Sequence, residues 1–383
     1  NELNNNFHRD RVFFDSGDNN PQEAQASGGS LKLDFDFSTD TTLTSITAYE
    51  TVENHSLGDI DGGFGAVFLP EMGPGFIPFP STTQDGLTDL EQITQEFRLA
   101  SQASDNLFWQ AGVFWFDSDF SVRTLPIGFV PPTTVRHENT SWAVFGHVSL
   151  DLTDRLTLTA GVRYTDDDKD MSVTETPTPP PVFVTPLPPD LAAGVPVSVS
   201  DEQESWDLSL MFAVNDDFNL YGRVASGFRA PTIQGRNIAF FDLNPFSTAS
   251  SETILSSEIG FKSTVGDRLR FNGSVFYYDY ADSQAFQFDG QTLSSTAFNR
   301  DANVTGLELE IGARPVEGLD VMFLATYLDA TLEDVELPGP LGRGLPPRDI
   351  RERLATGRPV DWLVPAPVVD YIRANRLYGS AGQ

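Results

Sequence analysis

The sequence of 383 residues contains no cysteine, so it forms neither a disulfide framework nor a thiolate metal site. Basic residues are also scarce: 24 Lys and Arg stand against 55 Asp and Glu, which gives a formal net charge of −31. A chain this acidic repels nucleic acid, so we expect no nucleic-acid partner. No apolar run in the sequence approaches the roughly 18 residues that a transmembrane helix requires.

What the sequence does contain is a repeated strand pattern. In five segments, an apolar residue is followed eight positions later by an aromatic residue. Strand side chains alternate between two faces, so this even spacing places both residues on one face. Such a segment spans roughly 27 Å, close to the apolar band of about 25 Å that aromatic girdles edge in a transmembrane β-barrel. The pairs are Leu107 and Trp115, Leu156 and Tyr164, Leu220 and Phe228, Leu269 and Tyr277, and Leu319 and Tyr327.

The residues inside these segments alternate in polarity. Between Leu156 and Tyr164 one face is apolar, whereas the other carries Thr157, Thr159 and Arg163. In a barrel the apolar face contacts lipid and the polar face lines the lumen. One segment departs from the pattern, because three phenylalanines fall on its lumen face: Phe108, Phe114 and Phe116.

The segments assemble into about twelve strands in six pairs. Within a pair the strands are joined by short turns of Asp, Asn, Gly and Ser, whereas the connections between pairs are long. We therefore predict an all-β fold, an antiparallel transmembrane β-barrel with short periplasmic turns and long extracellular loops. The predicted pairs are 29–38 with 41–53, 91–101 with 106–118, 138–152 with 155–169, 203–214 with 217–229, 253–264 with 268–281, and 302–314 with 318–331.

Catalytic chemistry is missing from the sequence. There is no Gly-x-Ser-x-Gly elbow, P-loop or dinucleotide fingerprint, and no two of the four histidines have metal-ligand spacing. We therefore expect no enzyme activity, no cofactor and no metal site.

Four segments resemble barrel strands of the TonB-dependent outer-membrane receptor family, and they occur in the family's order. The most specific is 218–231, which ends like the family's mid-barrel signature, Gly-Phe-(Arg/Lys)-Ala-Pro. The likeness covers roughly residues 28–332. The residues that match the signature are Gly227, Phe228, Arg229, Ala230 and Pro231. The other three segments are 92–100, 258–263 continuing into 268–280, and 299–314 continuing into 319–330.

The resemblance implies a receptor in the outer membrane of a Gram-negative bacterium. Family members have a 22-stranded barrel around a plug, and nothing like that plug is recognisable here, so we expect this chain to be part of such a barrel. By resemblance it would import a scarce nutrient, foremost a ferric siderophore, with energy from the TonB complex acting through the plug. The implied partners are outer-membrane lipid, the TonB complex and the small-molecule ligand. The alternatives are a passive porin-like channel and a non-transporting scaffold partnered with another chain.

Four arginines are the ligand candidates, because they alternate with lipid-face residues and should point into the lumen. A guanidinium binds carboxylate or phosphate groups through two parallel hydrogen bonds. Alternatively, these arginines pair with lumen carboxylates such as Glu96, Glu258, Glu308 and Glu310, or with a plug. The candidates are Arg98, Arg163, Arg223 and Arg270.

The chain divides into three regions on this interpretation. Residues 1–27 are predicted to be an N-terminal loop or linker, and residues 28–332 are predicted to hold the barrel strands and loops. Residues 333–383 lack clean alternation and form an atypical C-terminal segment of loop or short helices. The aromatic girdle is predicted at Trp115, Tyr164, Phe228, Tyr277 and Tyr327.

Overall fold

The fold is known from a computed structural model of the chain. Nearly all of the described residues form β-strands, and these strands belong to one unit that ends at Leu332. No helix in the described ranges has the length and hydropathy needed to cross a membrane. The predicted C-terminal segment 333–383 and most of the predicted N-terminal linker lie outside these ranges. The described residues are 21–59, 82–125, 132–175, 194, 196–239, 245–266, 268–289 and 294–332.

Twelve long strands and two short ones make up the described structure, together with the 3-10 helix Arg236–Ala239. The strands are β1 (Gln22–Asp36), β2 (Thr41–Asp59), β3 (Thr82–Ser104), β4 (Leu107–Leu125), β5 (Thr133–Thr153), β6 (Leu156–Glu175), β7 (Val197–Asn215), β8 (Phe218–Arg229), β9 (Thr232–Gln234), β10 (Ser247–Ala249), β11 (Glu252–Val265), β12 (Leu269–Asp289), β13 (Ser294–Val316) and β14 (Leu319–Leu332). The long strands form one antiparallel sheet in the order β1 to β8 followed by β11 to β14, and β9 pairs with β10.

All six predicted hairpins are present, but most of the strands are longer than the sequence analysis predicted. β3 begins at Thr82 rather than at residue 91, and β4 continues to Leu125 rather than to residue 118, so the connections before β3 and after β4 are shorter than predicted. The physical reason is visible on β6 beyond Tyr164, where Asp166 and Asp167 point to opposite faces and are both polar. The hydrogen-bonded ladder continues there, although the alternation of apolar and polar residues that revealed the strand has ended.

The register assigns each residue to one of two faces. Gly112 pairs with Arg98 on one side and with Phe145 on the other, and Phe145 pairs with Arg163. These residues therefore share a polar face, which we call the inner face. The opposite, outer face carries exposed apolar side chains such as Val162, which is 58% exposed. This division of the two faces is the one that a barrel in lipid requires.

Aromatic residues occupy corresponding places on the outer face. Trp115 pairs directly with Trp142, and the Trp142 ring lies 5.6 Å from the Tyr164 ring. Tyr277 and Tyr327 are also exposed on this face. The register thus groups the predicted girdle residues on the face that carries the apolar side chains, where rings with one apolar and one polar end suit a membrane–water interface.

The face assignment predicts unequal effects of an added charge. Replacing Val162 with Arg places a guanidinium in lipid and should cost about 2–4 kcal/mol of folding free energy near the bilayer midplane. Thr159→Arg is the matched control, because Thr159 lies on the inner face of the same strand. This substitution should cost much less folding free energy. Unfolding of the natural protein from lipid vesicles measures both values, and equal costs would contradict the assignment.

Candidate functional site

The inner face carries all four predicted arginines, and two of them pair with carboxylates of the wall. Arg98 Nη2 lies 2.7 Å from Glu96 Oε1 on the same strand. Arg270 on β12 pairs with Glu310 on β13, whose second oxygen accepts a 3.1 Å hydrogen bond from Asn272. Both pairs are partly exposed, and exposed ion pairs typically contribute only about 0–1 kcal/mol. Their main effect is to satisfy charges on the wall.

Arg163 contacts one of the three phenylalanines that depart from the strand pattern. Its guanidinium carbon lies 5.3 Å from the centre of the Phe114 ring and 5.7 Å from the centre of the Phe145 ring. Its Nε donates a 3.1 Å hydrogen bond to the hydroxyl of Thr165. A cation over an aromatic face is attracted by the ring quadrupole. Phe114 is therefore a partner of a wall arginine.

Arg223 has a different environment from the other three arginines. The register sets it opposite Glu258 on β11, but Glu258 accepts a hydrogen bond from the hydroxyl of Tyr221. Within the part of the chain that the structure describes, Arg223 forms no ion pair with a carboxylate, and its side chain is exposed on the inner face. Lys262 lies nearby, 5.7 Å from the centre of the Tyr221 ring. Arg223 is thus the candidate best placed to meet a group that is not part of the wall.

The motif that carries the family resemblance marks the end of β8. The strand ends at Arg229, and Pro231 has no N–H with which to extend a ladder. Arg229 Nη1 lies 3.7 Å from Glu252, the first residue of β11. The carbonyl of Ala230 accepts a 2.8 Å hydrogen bond from the side chain of Gln284. The motif therefore fixes the point at which the chain leaves the sheet.

After the motif the chain folds across the inner face of the sheet. We call residues 231–239 and 245–250 the bridge; they contain β9, the 3-10 helix and β10. The helix contacts both β4 and β13, although six strands separate these two in the sheet. Two consecutive residues of the helix contact opposite walls. Arg236 Nη2 lies 4.0 Å from Asp85 Oδ2 on β3, whereas the Asn237 side chain forms a hydrogen bond with β13. The bridge therefore spans the inside of the curved sheet.

Two asparagines attach the bridge to β13. Asn237 Nδ2 donates to the Ser295 carbonyl at 2.6 Å, and Asn237 Oδ1 accepts from the Ser295 N–H at 3.0 Å. In the reverse direction, Asn299 on β13 accepts from the Ser250 N–H at 2.8 Å and donates to the Ser250 carbonyl at 2.9 Å. We call these two arrangements the amide clamps. Asn237 is only 2% exposed, so loss of its clamp leaves buried polar groups unsatisfied.

Apolar packing holds the bridge against the opposite wall. Val135 on β5 and Met171 and Val173 on β6 are buried against Ile238 of the bridge. Met171 is fully buried, and a Cβ added to Gly235 would collide with its sulfur. This cluster is a hydrophobic core located on the inner face. The partly buried residues packed around it are Val122, Val197, Ile233 and Phe246.

A recess of about 280 Å³ lies between the bridge and strands β3 to β5. Its lining includes Asp85, His137 and Arg236. His137 lies beyond Trp142 on the side away from the apolar band, and its ring stacks on Phe120 with ring centres 5.0 Å apart. Burial lowers the pKa of His137, so the imidazole is neutral at neutral pH. Across the described ranges, no group of three or more His, Asp or Glu is placed to hold a metal ion.

Sequence reasoning missed the bridge, which it treated as part of an extracellular loop. β9 and β10 have only three residues each, too few for an alternating pattern to be recognised. The clamp between Asn237 and Ser295 joins residues 58 positions apart, which no local pattern reveals. The available signal was the apolar content of the segment, since Ile233, Ile238 and Phe246 are unusual in a solvated loop.

The fold and its two faces define a class of protein, the wall of an antiparallel barrel of the outer-membrane type. A sequence profile of the family described as "TonB dependent receptor-like, beta-barrel" matches residues 2–380. The chain belongs to this family, which confirms the resemblance seen in the sequence. The family and the fold are those of transport receptors.

Solved structures share this fold at low sequence identity. The ferric yersiniabactin uptake receptor FyuA from Yersinia pestis is 16% identical to this chain, with a TM-score of 0.60. The match covers 81% of this chain and 43% of the FyuA chain. The copper transporter OprC is 13% identical with a TM-score of 0.62, covering 81% and 46%. BauA, the ferric preacinetobactin receptor from Acinetobacter baumannii, is 15% identical with a TM-score of 0.58, covering 82% and 46%. The chain spans less than half the length of each of these proteins.

The clamps predict a local loss of stability when one is removed. Asn237→Ala deletes the paired hydrogen bonds to Ser295 and should destabilise the bridge by roughly 1–3 kcal/mol. Amide hydrogen exchange at Ser295 in the natural protein should accelerate accordingly. Asn303→Ala is the matched control, because Asn303 lies on the outer face of the same strand and should leave this exchange unchanged. Equal acceleration in both variants would contradict a specific clamp.

Proposed function

We propose that this chain is part of the barrel of an outer-membrane receptor that imports a scarce nutrient into a Gram-negative bacterium. The observation that carries the proposal is membership of the TonB-dependent receptor family over residues 2–380. The apolar outer face and the polar inner face support it, because a receptor wall must contact lipid on one side and a lumen on the other. Energy would come from the TonB complex acting through a plug.

The proposed ligand is a ferric siderophore. Two structures that share the fold are described as an uptake receptor for ferric yersiniabactin and as a receptor for ferric preacinetobactin, whereas a third is described as a copper transporter. On this chain, the inner-face arginines supply groups suited to a ligand bearing carboxylates. Arg223 is the first residue we assign to ligand contact, since Arg98, Arg163 and Arg270 already have partners on the wall.

Uptake in cells tests the transport proposal. Import of radiolabelled ferric siderophore should be lost when the gene that encodes this chain is deleted, and also when TonB is removed. Import that persists without TonB would instead indicate a passive channel. An assembled outer-membrane protein that supports no import of iron, copper or other nutrients would indicate a scaffold partnered with another chain.

A single substitution tests the assigned contact. Arg223→Ala removes a guanidinium that forms no ion pair with a carboxylate of the described residues, and it should weaken ligand binding about tenfold, the effect of losing one charge-assisted hydrogen bond. The measurement is the dissociation constant of the ligand on outer membranes that contain the natural protein. Arg155→Ala is the control, because Arg155 lies in the turn between β5 and β6 and should leave affinity unchanged. Unchanged affinity in Arg223→Ala would refute the assigned role while leaving transport itself open to the uptake experiment.

A further inference from the structure

A groove lies on the outer face of the sheet, on strands β7, β8, β11 and β12. Its volume is about 570 Å³, within the range of roughly 300–1,000 Å³ that is typical of small-molecule sites. Gly222 of β8 lines this groove, and a Cβ added there would approach no atom beyond the neighbouring residues more closely than the Glu258 carbonyl oxygen, at 3.9 Å. The missing side chain therefore leaves open space on the apolar outer face. The sides of the groove are formed by Leu208, Leu210, Val275 and Tyr277.

One part of the groove is apolar. Gly222 pairs with Ile259, and Ile259 pairs with Val275, so these residues lie side by side on the outer face. The side chain of Ile259 is 68% exposed, which leaves it free to contact hydrocarbon. The groove does not continue past the next row of residues, where the ring of Phe261 covers Gly273. This apolar part therefore has the dimensions of the first segment of an acyl chain rather than of a whole chain.

The other end of the groove carries hydroxyl groups. Ser257 pairs with Tyr277, and Tyr277 pairs with Thr305, so their three hydroxyl-bearing side chains form one row across β11, β12 and β13. We call these residues the hydroxyl row. Within the part of the chain that the structure describes, the side chains of Ser257 and Thr305 form no hydrogen bond with the protein. Because Tyr277 belongs to the girdle, the row offers donors to carbonyl oxygens at the membrane–water interface.

Two exposed carboxylates lie next to the hydroxyl row. Asp279 follows Tyr277 by two positions on the same face of β12, and Asp329 of β14 pairs with Thr305. Neither carboxylate forms an ion pair with a Lys or Arg of the described strands. An ammonium group is attracted to this place, whereas a headgroup with a net negative charge is repelled. The outer face thus presents apolar, hydroxyl and anionic groups in the order in which a lipid presents its chain, its ester carbonyls and an amine in its headgroup.

We propose that the groove binds one membrane lipid whose headgroup carries an amine. An acyl chain occupies the apolar part, the ester carbonyls accept hydrogen bonds from the hydroxyl row, and the ammonium group lies beside Asp279 and Asp329. The site is continuous with the lipid-contacting outer face, which supports a lipid as its occupant. This inference rests on the placement of that face in a membrane and does not depend on which nutrient the receptor carries.

Lipid retention tests the groove in the full-length natural protein, purified in detergent and mixed with phosphatidylethanolamine. Native mass spectrometry should detect one tightly retained lipid molecule per protein. Gly222→Leu fills the groove and should weaken retention about tenfold, roughly the effect of losing contact with two methylene groups. Gly146→Leu is the matched control, because Gly146 lies on the outer face outside the groove and a Cβ there has similar space, with the Gln110 carbonyl oxygen 3.9 Å away. This control should retain the lipid as the natural protein does.

The choice of headgroup tests the two carboxylates. The natural protein should retain phosphatidylethanolamine about threefold more strongly than phosphatidylglycerol with the same acyl chains, the size of effect expected for exposed charge pairs. The double substitution Asp279→Asn and Asp329→Asn should remove most of this preference. Asp105→Asn is the control for the loss of a negative charge, because Asp105 lies in the turn between β3 and β4, and it should leave the preference unchanged.

Each outcome decides for or against the lipid site. Equal retention by Gly222→Leu and Gly146→Leu would overturn the proposal, and so would equal retention of the two lipids by the natural protein. A natural protein that is dimeric, with Gly222→Leu monomeric, would overturn it as well, since the groove would then hold a second copy of the chain. Should Gly222→Leu fail to assemble, Ser257→Leu fills the groove from the adjacent strand, with the same loss of retention expected. None of these measurements depends on uptake, so their failure is distinguishable from failure of the transport proposal.

Discussion

Backbone hydrogen bonding in a medium without water is the constraint on which the rest of this structure depends. Hydrocarbon offers no partner to an unpaired N–H or carbonyl, so a spanning segment must satisfy these groups within the protein. The ladder from β1 to β14 does this for every strand that has two neighbours. The outer edges of β1 and β14 therefore need partner strands wherever they lie in hydrocarbon.

In the same ladder, neighbouring residues of one strand lie on opposite faces, one apolar and one polar. Val162 lies on the outer face, whereas the next residue, Arg163, lies on the inner face near the rings of Phe114 and Phe145. A wall of this kind can carry charge on one face without exposing it to lipid, because alternation is enforced by the pleat. Charged residues can therefore occupy the inner face of such a wall while the outer face stays apolar. Of the four candidate arginines, Arg223 is the one we propose for contact with an external group.

Beyond the apolar band, water is available and the constraint on irregular backbone relaxes. There the chain leaves β8 at the family motif and forms the bridge, whose polar groups are satisfied by Asn237 and Asn299 rather than by a long ladder. Side-chain amides can do this because each offers both a donor and an acceptor, matching one backbone residue. The bridge thus joins a local sequence signature to the recess near His137.

The sequence by itself determined the strand pairs, the turns between them, the two faces and the family motif from Gly227 to Pro231. These features are local: side-chain alternation has a period of two, and turn residues act within a few positions. Tertiary structure alone decided how far a strand such as β6 continues past its girdle residue, Tyr164. It also decided which arginines have partners on the wall and where the bridge lies. Those outcomes depend on residues far apart in the chain, such as Asn237 and Ser295 across 58 positions, and only folding brings them within hydrogen-bond reach.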